Sequence, residues 1–514
     1  MQLTTLLGSA LVVLGLAALV IPVRHPWGQS APPLPSGQTI RVLLSFKLEA
    51  SSFEGQHIFP ALELTPLGDT IRVNSGPDAS HLSLAFSALP QRPLRFTMQD
   101  GVLSATSDGQ TYRLGPAVQL EPLLPETAAK VRYRILSTSR DSPATHPEYP
   151  GKLWLSPLQG GILLVNEVDM QDYLRRVLPS EMPVFFHPQA LAAQAIAART
   201  YAYSRMIASP EHNFWKQFGA DVDDSINEQV YNNTSTTPAG DAAVEATRGQ
   251  ILTFAGQPVQ AFFFSTSPGS TASIEQVWPD RPAQPYLKGQ TQAYPVPVAI
   301  ADETTALAFF QNWSRSGYYD GASSLFRWKV TLSRTELEAI LAKTLPAVFQ
   351  NSPDFTQTPE GATSPDSPDF KLGTLQNLVV TQRTPGGFVT ELEVDTSSGR
   401  YLVRRESNIR TLIRPNKAFT GQDVVLERIS GAKSLNFGAL PSAAFALEAT
   451  RDTSGALQSL TFWGGGYGHG VGMSQYGADQ LGKMGQTYPQ ILAHFYPGSS
   501  LTTLSPAPVP NTRR

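Results

Sequence analysis

One segment, HPQALAAQAIAARTYAYSRM at residues 187–206, constrains the fold of this chain more than any other. Pro188 stands where the first turn of a helix tolerates proline, and residues of high helix propensity follow it. Alanine dominates the run, and its small side chain lets a neighbouring element approach closely. We therefore predict a long, tightly packed helix in which Gln194 and Arg199 are the polar positions.

Short strands are expected in much of the remaining chain. Between Ile40 and about residue 150, apolar and polar residues alternate in short runs with turns at Asp100–Gly101 and Asp108–Gly109. A further hairpin turn is expected at Ala255–Gly256. Strands of this kind, together with one prominent helix, predict an α+β fold in which the alanine-rich helix packs against antiparallel sheet.

Composition divides the chain into segments. Residues 36–150 are expected to form a β-rich N-terminal module, and residues 151–500 are expected to form a mixed core. The polar, proline-punctuated sequence at 346–369 cannot bury enough apolar area to order itself, so we predict a disordered insertion there. The tail at 501–514 is predicted to be disordered as well.

The N-terminal segment is the part that relates to a membrane. Residues 3–23 carry no charge and reach the length of about 20 residues that a helix needs to cross a hydrocarbon core. Because a proline-rich linker follows, we predict that residues 1–35 are a signal peptide or membrane anchor plus linker. The rest of the chain is then extracytoplasmic and contacts a membrane only through this segment. The alternative is that residues 3–23 form a buried helix of the folded protein. Whether a signal peptide is cleaved or the segment is retained as an anchor stays open.

Charge and composition exclude several classes of function. The net charge is −3 and no long basic run occurs, so the clustered basic face of a nucleic-acid-binding protein is missing. There is no cysteine, which excludes disulfides, thiol nucleophiles and thiolate metal sites. The eight histidines form no HExxH motif and no close pair. We predict neither a metal nor another cofactor.

A glycine-rich segment near the C-terminus, WGGGYGHGVGMSQYG at 463–477, points to a site. Its glycines let the backbone adopt unusual angles and approach a ligand closely. No window matches the dinucleotide pattern GxGxxG, and no Lys-Ser or Lys-Thr pair follows as in a phosphate-binding loop. His469 is a candidate hydrogen-bond donor to a sugar or proton shuttle, with metal binding as the minority interpretation.

Glu181 is the sharpest candidate for chemistry. It lies between Pro179 and Pro183 in VLPSEMPVFF, so we predict that it stands on a stiff loop ahead of the alanine-rich helix. Apolar neighbours would desolvate its carboxylate, raise its pKa and keep it protonated as a general acid. A single loop glutamate is more often structural, and Arg199, which could clamp a substrate carboxylate, is more often an ion-pair partner.

The segments LPSEMP, ALAAQAIAARTYAY and GYGHGVGMSQYGA together resemble the stage II sporulation protein D (SpoIID) and LytB amidase-enhancer family. Supporting pieces follow in the family's order: VNEVDMQDYL, QVY at 229–231, AVEATRGQIL at 243–252, a Ser/Thr loop at 265–271, and ILAHFYPG. The resemblance covers about residues 150–300 and 370–500. The chain departs from the family at Ala192, where many members have lysine, and at Pro268-Gly269, where they usually have two glycines.

The resemblance implies a role in the bacterial cell wall and places the family's catalytic glutamate on Glu181. It also implies a set of substrate-binding positions. These are Gln194, Arg199, Gln229, Tyr231, Ser265, Thr271, Gly468, His469, Gly470, Ser474, Gln475 and Tyr476.

Family members include lytic transglycosylases, and we predict this activity, in which a single glutamate serves as acid and base. The first alternative is a non-catalytic module that binds glycan strands and stimulates an N-acetylmuramoyl-L-alanine amidase, with Tyr231, Tyr467 and Tyr476 as a sugar platform. The second is a glycoside hydrolase with a second carboxylate. Its candidates Asp221, Asp223 and Asp224 are more simply explained as a solvated turn. The expected partners are peptidoglycan glycan strands and, as a further candidate, a cell-wall amidase.

Overall fold

The computed structural model describes residues 35–36, 39–47, 53–138, 146–231, 235–300 and 302–506. The predicted signal or anchor at 3–23 and residues 507–514 of the predicted disordered tail lie outside these ranges. Residues 501–503 and 505–506 of that tail form strands, which differs from the prediction. The described chain forms two compact units. The first comprises residues up to Gln260 together with those from Leu501 onward, and the second is Ala261–Ser500. Helices and mainly antiparallel sheets occur in both, which confirms the predicted α+β class.

The first unit is rich in strands. Up to Gln260 its strands are β1 (Pro35–Ser36), β2 (Thr39–Leu43), β3 (Ala61–Leu67), β4 (Ile71–Gly76), β5 (Ser83–Ala88), β6 (Leu94–Gln99), β7 (Val102–Ser107), β8 (Gln110–Arg113), β9 (Ala117–Pro122), β10 (Arg132–Ile135), β11 (Glu148–Tyr149), β12 (Lys152–Leu158), β13 (Gly161–Asp169), β14 (Val222–Asp223), β15 (Gln250–Phe254) and β16 (Gln257–Pro258). Its α-helices are α1 (Phe53–His57), α2 (Met170–Glu181), α3 (Pro188–Ile207) and α4 (Pro238–Ala246), and its 3-10 helices are Pro125–Thr127, Pro210–His212 and Phe214–Phe218.

The strands of the first unit form two large sheets. One has the order β14-β2-β13-β12-β9-β4-β5, and the other has the order β11-β10-β3-β6-β7-β8. Strand β13 is buried along almost its whole length and pairs with β12 on one side and β2 on the other. Because a buried strand needs partners on both edges, strands from both sides of the predicted boundary at residue 150 share one sheet. The structure therefore differs from the predicted division into 36–150 and 151–500.

The predicted alanine-rich helix is α3. It begins with Pro188, after His187 accepts a hydrogen bond from the Gln189 N–H through Nδ1, and it packs against α2, α4 and β15. Its alanines are buried, as close packing requires. The hairpin turn at Ala255–Gly256 is confirmed, but β16 has only two residues because the chain then passes into the second unit.

The second unit has more helices. Its strands are β17 (Phe263–Phe264), β18 (Trp328–Ser333), β19 (Thr356–Gln357), β20 (Leu375–Arg383), β21 (Val389–Thr396), β22 (Gly399–Arg404), β23 (Val425–Arg428), β24 (Lys433–Leu435), β25 (Phe445–Arg451), β26 (Leu457–Gly464) and β27 (Met473–Ser474). Its helices are α5 (Ile274–Val277), α6 (Glu303–Gln311), α7 (Arg334–Asn351), α8 (Glu406–Leu412), α9 (Lys417–Thr420), α10 (Gln475–Lys483) and α11 (Tyr488–Phe495), with a 3-10 helix at Pro353–Phe355.

Three sheets organise the second unit. They have the orders β24-β23-β18-β26-β25 and β19-β22-β21-β20, and the parallel pair β17-β27 is the third. Helix α7 contacts β18, β20 and β26, and its apolar face joins the core around Trp328 and Phe462. The chain then returns to the first unit through β28 (Ser500–Thr503), which joins β15, and β29 (Ser505–Pro506), which pairs with β1.

The stretch 346–369 differs from the disordered insertion that its composition predicted. Helix α7 continues through Pro346 to Asn351, a 3-10 helix follows, and β19 then pairs with β22. Proline removes one helical hydrogen bond, but the burial of Leu345, Val348 and Phe349 in the core offsets this loss. Within the described ranges, no helix combines the length and apolar character that crossing a membrane requires.

Candidate functional site

Glu181 is the last residue of α2, not part of a loop as its flanking prolines predicted. Asp169 caps the start of this helix by accepting a hydrogen bond of 2.8 Å from the Gln171 N–H. The helix tolerates Pro179 near its end, and the Met182 N–H still donates to the Leu178 carbonyl at 2.9 Å. Glu181 is therefore fixed by helical hydrogen bonds at a helix terminus.

The carboxylate of Glu181 has one hydrogen bond that orients it. The Val230 N–H donates to Oε1 at 2.6 Å, and no second hydrogen bond to the carboxylate is formed by the described part of the chain. Burial raises the pKa of Glu181 to about 7, while the Val230 hydrogen bond acts in the opposite direction. The predicted direction of the shift is confirmed. A carboxyl group with this pKa can hold a proton near neutral pH, and residue Glu181 as a whole is partly exposed.

The segment 229–231 supports Glu181 from inside the protein. Gln229 and Tyr231 are 1% and 0% exposed, which differs from the substrate contacts predicted for them. Tyr173 donates to the Gln229 Oε1 at 3.1 Å, and the Gln229 Nε2 donates to the Ala198 carbonyl at 3.3 Å. Tyr231 donates to Asn166 at 3.1 Å. These bonds fix the backbone between them, including the N–H that holds Glu181.

Arg199 and Gln194 are also buried, at 1% and 0% exposure. The Arg199 guanidinium donates to the carbonyl oxygens of Val244 and Gln250 and to the Gln171 side chain, each at 3.2 Å. Burial lowers the pKa of Arg199 to about 9. Arg199 therefore ties α3 to the end of α4 and to β15 and differs from the predicted substrate clamp. The Gln194 amide has no hydrogen-bond partner within the described ranges.

The aspartates of GADVDD do not form the solvated turn that their clustering predicted. Asp223 and Asp224 are 0% exposed, and Asp221 is 8% exposed. Lys216 pairs with Asp221 at 2.6 Å, and the Ser45 N–H donates to Asp224 at 3.0 Å. Burial, together with the charge of Asp224, raises the pKa of Asp223 to about 8. These carboxylates are interior groups, which removes them as an accessible second carboxylate for a hydrolase.

In the second unit, the Ser/Thr loop at 265–271 lies beside the glycine-rich segment. Strand β17 pairs in parallel with β27, and bridges join Thr266 to Tyr467 and Ala272 to Val471. Gly470 and Gly472 have φ angles of 86° and 78°. A Cβ on Gly472 would lie 2.0 Å from the Phe262 carbonyl oxygen, so glycine is required for this close approach. The two predicted segments are thus brought together.

A buried aspartate, Asp320, connects these segments and was missed in the sequence. Ser267 donates to it through its N–H at 2.9 Å and its hydroxyl at 2.6 Å, and Ser474 donates its hydroxyl as well. Burial raises the pKa of Asp320 to about 6, although these hydrogen bonds oppose the shift. Ser474 also caps α10 by accepting from the Gly477 N–H. Its predicted contact with substrate is therefore replaced by contacts within the protein.

His469 has both ring nitrogens in use. The Val471 N–H donates to Nδ1 at 3.1 Å, so Nε2 carries the proton that is donated to the Phe263 carbonyl at 3.0 Å. Burial, reinforced by the charge of Arg410, lowers the pKa of His469 to about 3. The ring is therefore neutral and structural, unlike the proton shuttle or sugar donor considered from the sequence. Among the described residues, no group of three His, Asp or Glu side chains is placed to hold a metal ion.

The remaining predicted binding residues differ in accessibility. Thr271 and Gln475 are 4% and 5% exposed, and Thr271 is bonded to the backbone of Gln290. Ser265 and Tyr476 are partly exposed, as are Gly468 and Tyr467. Of the three tyrosines proposed as a sugar platform, Tyr231 is excluded by its burial.

Comparison with known proteins agrees with the motifs. Residues 158–254, which include Glu181, match the SpoIID family model, described as "Stage II sporulation protein". Residues 272–435 match a "Domain of unknown function (DUF8618)". Residues 158–254 are therefore similar to the SpoIID family, and the resemblance predicted from LPSEMP and the alanine-rich helix is confirmed.

Two relatives from Bacillus subtilis (strain 168) extend the similarity over most of the chain. The chain is 28% identical to the "Amidase enhancer" over 348 residues, which are 64% of this chain and 40% of that protein. It is 27% identical to "Stage II sporulation protein D" over 351 residues, 66% of this chain and 76% of the relative. An uncharacterized protein from Brachyspira hyodysenteriae is 35% identical over 143 residues, 28% of this chain and 37% of the relative. The chain thus aligns with less than half of the amidase enhancer.

Proposed function

We propose that this protein acts on the bacterial cell wall as a lytic transglycosylase that uses Glu181 as its acid and base. The observation that carries the proposal is the state of the Glu181 carboxyl group. Residue Glu181 is partly exposed, burial raises the pKa of its carboxyl group to about 7, and the Val230 N–H orients one of the carboxyl oxygens. A carboxylic acid with these properties is suited to protonating a glycosidic oxygen at neutral pH.

The reaction needs only this one group. The protonated Glu181 donates its proton to the oxygen that leaves the muramoyl anomeric carbon, and the glycosidic bond breaks. The resulting carboxylate accepts the proton of the muramoyl C6 hydroxyl while that oxygen bonds to the same anomeric carbon. The products are a 1,6-anhydromuramoyl end and a new free end on the other fragment, and Glu181 returns to its protonated form. The Val230 N–H stabilises the carboxylate between the two steps.

Hydrolysis needs a second accessible carboxylate, and none of the three aspartates considered for that role is accessible. This supports the transglycosylase reaction over hydrolysis. Inverting and retaining glycosidases place a second carboxylate about 5 to 10 Å from the acid. The three aspartates considered for that role are buried and bonded to Ser45, Lys216 and neighbouring polar groups.

A second candidate function is supported by the relative named "Amidase enhancer". In this case the protein binds glycan strands without cleaving them and stimulates a cell-wall amidase. Ala192, which replaces the lysine of many family members, is 6% exposed and offers no cation near the N-terminal half of α3. The two functions predict different products, and the glycan strand is the partner in both.

An extracytoplasmic location follows from a cell-wall substrate. The uncharged segment at residues 3–23 is the candidate signal peptide or anchor, and it lies outside the described residues.

The test is digestion of purified peptidoglycan, with and without its stem peptides, followed by mass spectrometry of the products. We expect anhydromuramoyl ends from the native protein and none from Glu181→Gln. New reducing ends would indicate hydrolysis instead. Strands that bind the protein but stay intact would contradict the transglycosylase, and faster product release by an added amidase would then establish the enhancer.

A further inference from the structure

The second unit carries an open cavity of about 410 Å³ outside the elements discussed so far. It is lined by two loops, residues 293–296 and 316–318, within the region that matches a domain of unknown function. The lining contains no charged side chain. Its volume falls in the range of about 300 to 1,000 Å³ that is typical of small-ligand sites.

Exposed apolar side chains stand at this cavity. Tyr294 is 38% exposed, and its ring stacks on that of Tyr319 with centroids 5.0 Å apart and planes tilted by 24°. Tyr319 packs against one face of the Tyr294 ring, and more than a third of Tyr294 stays exposed. Val296 is 73% exposed beside it. Such a combination of a flat aromatic surface and an exposed aliphatic side chain is typical of a binding surface.

Backbone hydrogen bonds hold the cavity in shape. The Tyr294 N–H donates to the Gly317 carbonyl at 2.8 Å, and the Tyr319 N–H donates to the Gln292 carbonyl at 3.0 Å. Ala293 and Tyr318 form a β-bridge between the two loops. The surface is therefore formed before any ligand arrives, which lowers the entropic cost of binding.

The same loops are joined to the Ser/Thr loop. The Gln292 N–H donates to the Gly269 carbonyl at 2.8 Å. Gly269 has a φ of 125°, and a Cβ at this position would lie 3.0 Å from the Tyr318 ring, so glycine is needed for the two loops to meet. Tyr319 is followed directly by Asp320, which binds Ser267 and Ser474. The cavity is thus built onto the scaffold of the glycine-rich segment.

We propose that this cavity is a subsite for an N-acetylglucosamine residue of a glycan strand, with Tyr294 stacking on the sugar ring. The inference rests on the proposed action on cell-wall glycan and assigns a role to the domain of unknown function. A pyranose ring offers apolar C–H faces to an aromatic ring and hydroxyl groups at its edge, and Ser316 is a polar residue of the lining. Muramic acid fits less well, because its lactyl carboxylate finds no cation in the lining.

The test measures binding in the Glu181→Gln background, so that cleavage plays no part. Calorimetric titration with chitotetraose, a neutral oligomer of N-acetylglucosamine, gives the dissociation constant. We expect Tyr294→Ala to weaken binding about tenfold, Tyr294→Phe to leave it nearly unchanged, and Val296→Asp, which keeps the tyrosine pair, to weaken it as well. Leu435→Ala is the matched control, because Leu435 is 57% exposed in the same unit and does not line the cavity.

If Tyr294→Ala binds chitotetraose as tightly as the Glu181→Gln protein from which it is made, the subsite is overturned. It is also overturned if Leu435→Ala is the only variant that weakens binding. Tyr294-dependent binding of muramyl dipeptide instead of chitotetraose would overturn the choice of sugar. The catalytic proposal is tested by a different experiment, the digestion of peptidoglycan, and it fails if the native protein produces no anhydromuramoyl ends. In that case a Tyr294-dependent loss of chitotetraose binding still establishes the subsite.

Discussion

The surroundings of Glu181 in the first unit and those of Asp320 in the second both contain a carboxyl group whose pKa burial raises, to about 7 and about 6. They differ in what the carboxyl group contacts. Glu181 is partly exposed and accepts one hydrogen bond from a backbone N–H. Asp320 is 0% exposed and accepts hydrogen bonds from Ser267 and Ser474. A raised pKa alone therefore does not identify a catalytic acid, and access by substrate decides between the two.

The residues around each carboxyl group show the same contrast. Near Glu181, the buried side chains of Tyr173 and Gln229 support a backbone N–H that points at the acid. Near Asp320, the hydroxyl groups point at the carboxylate itself and use it to join two loops. We infer that the first arrangement serves chemistry, and that the second is a scaffold that holds the glycine-rich segment in place.

The largest difference is expected in the rate of glycan cleavage. Glu181→Gln removes the proton donor and should lower the rate by about 10² to 10⁴, the usual contribution of general acid catalysis. Asp320→Asn keeps the shape of the scaffold and should leave the rate within about tenfold of the native value. Release of soluble fragments from purified peptidoglycan gives both rates, and an equal loss in the two variants would erase the distinction.

Stability should respond in the opposite order. Asp320→Ala leaves the Ser267 N–H and the Ser474 hydroxyl without their buried acceptor, so we expect the free energy of unfolding to fall by about 3 kcal/mol. Glu181→Gln keeps an oxygen acceptor for the Val230 N–H and should change it by less than about 1 kcal/mol at pH 5. Urea denaturation gives both values. A stable Asp320→Ala protein would argue against the scaffold.

The support behind Glu181 is tested by Gln229→Ala. Without the bonds to Tyr173 and Ala198, the Val230 N–H is less firmly placed, and its hydrogen bond to the carboxylate weakens. That bond lowers the pKa of Glu181, so its loss raises the pKa further. We expect kcat to fall about tenfold and the alkaline limb of the kcat/KM profile to move to higher pH. A lower kcat with an unmoved profile would mean that Gln229 acts only on stability.

How far the sequence predicted this arrangement depends on the range of the interactions. Helix α3 was predictable because Pro188 and the alanines act locally, and the turn at Asp100–Gly101 was predictable because both residues adopt positive φ angles of 51° and 76°. The importance of Glu181 came from motifs that lie far apart in the chain. Asp320 was not predictable, because its partners Ser267 and Ser474 are 53 and 154 residues away.

Burial of polar side chains was the other feature that the sequence did not reveal. Gln229, Tyr231 and Arg199 are polar residues in motifs, which favoured an interpretation as ligand contacts. Their partners are backbone carbonyls and side chains from other elements, and a single sequence does not show such long-range pairing. The end of α2 differs from the prediction for a local reason. The flanking prolines predict a loop around Glu181, but the last turn of the helix tolerates Pro179.

A further expected effect is the dependence of stability on pH. Because the pKa of Glu181 is raised on folding, its contribution is most favourable below the ordinary value of about 4.3 and is lost as the pH rises to about 7. Glu181→Gln does not titrate, so its unfolding temperature relative to the native protein should rise by a few degrees between pH 4.5 and pH 8. Calorimetry at several pH values gives this difference. A constant offset would contradict a raised pKa.

The most direct test of the central claim is the titration of the Glu181 carboxyl group itself. Infrared difference spectra between the native protein and Glu181→Gln, recorded from pH 4 to pH 9, isolate its carboxyl and carboxylate bands. The account predicts conversion of the carboxyl band to the carboxylate band with a midpoint near pH 7. A midpoint between pH 4 and pH 5 would show an ordinary solvated glutamate and would contradict the assignment of Glu181 as the acid.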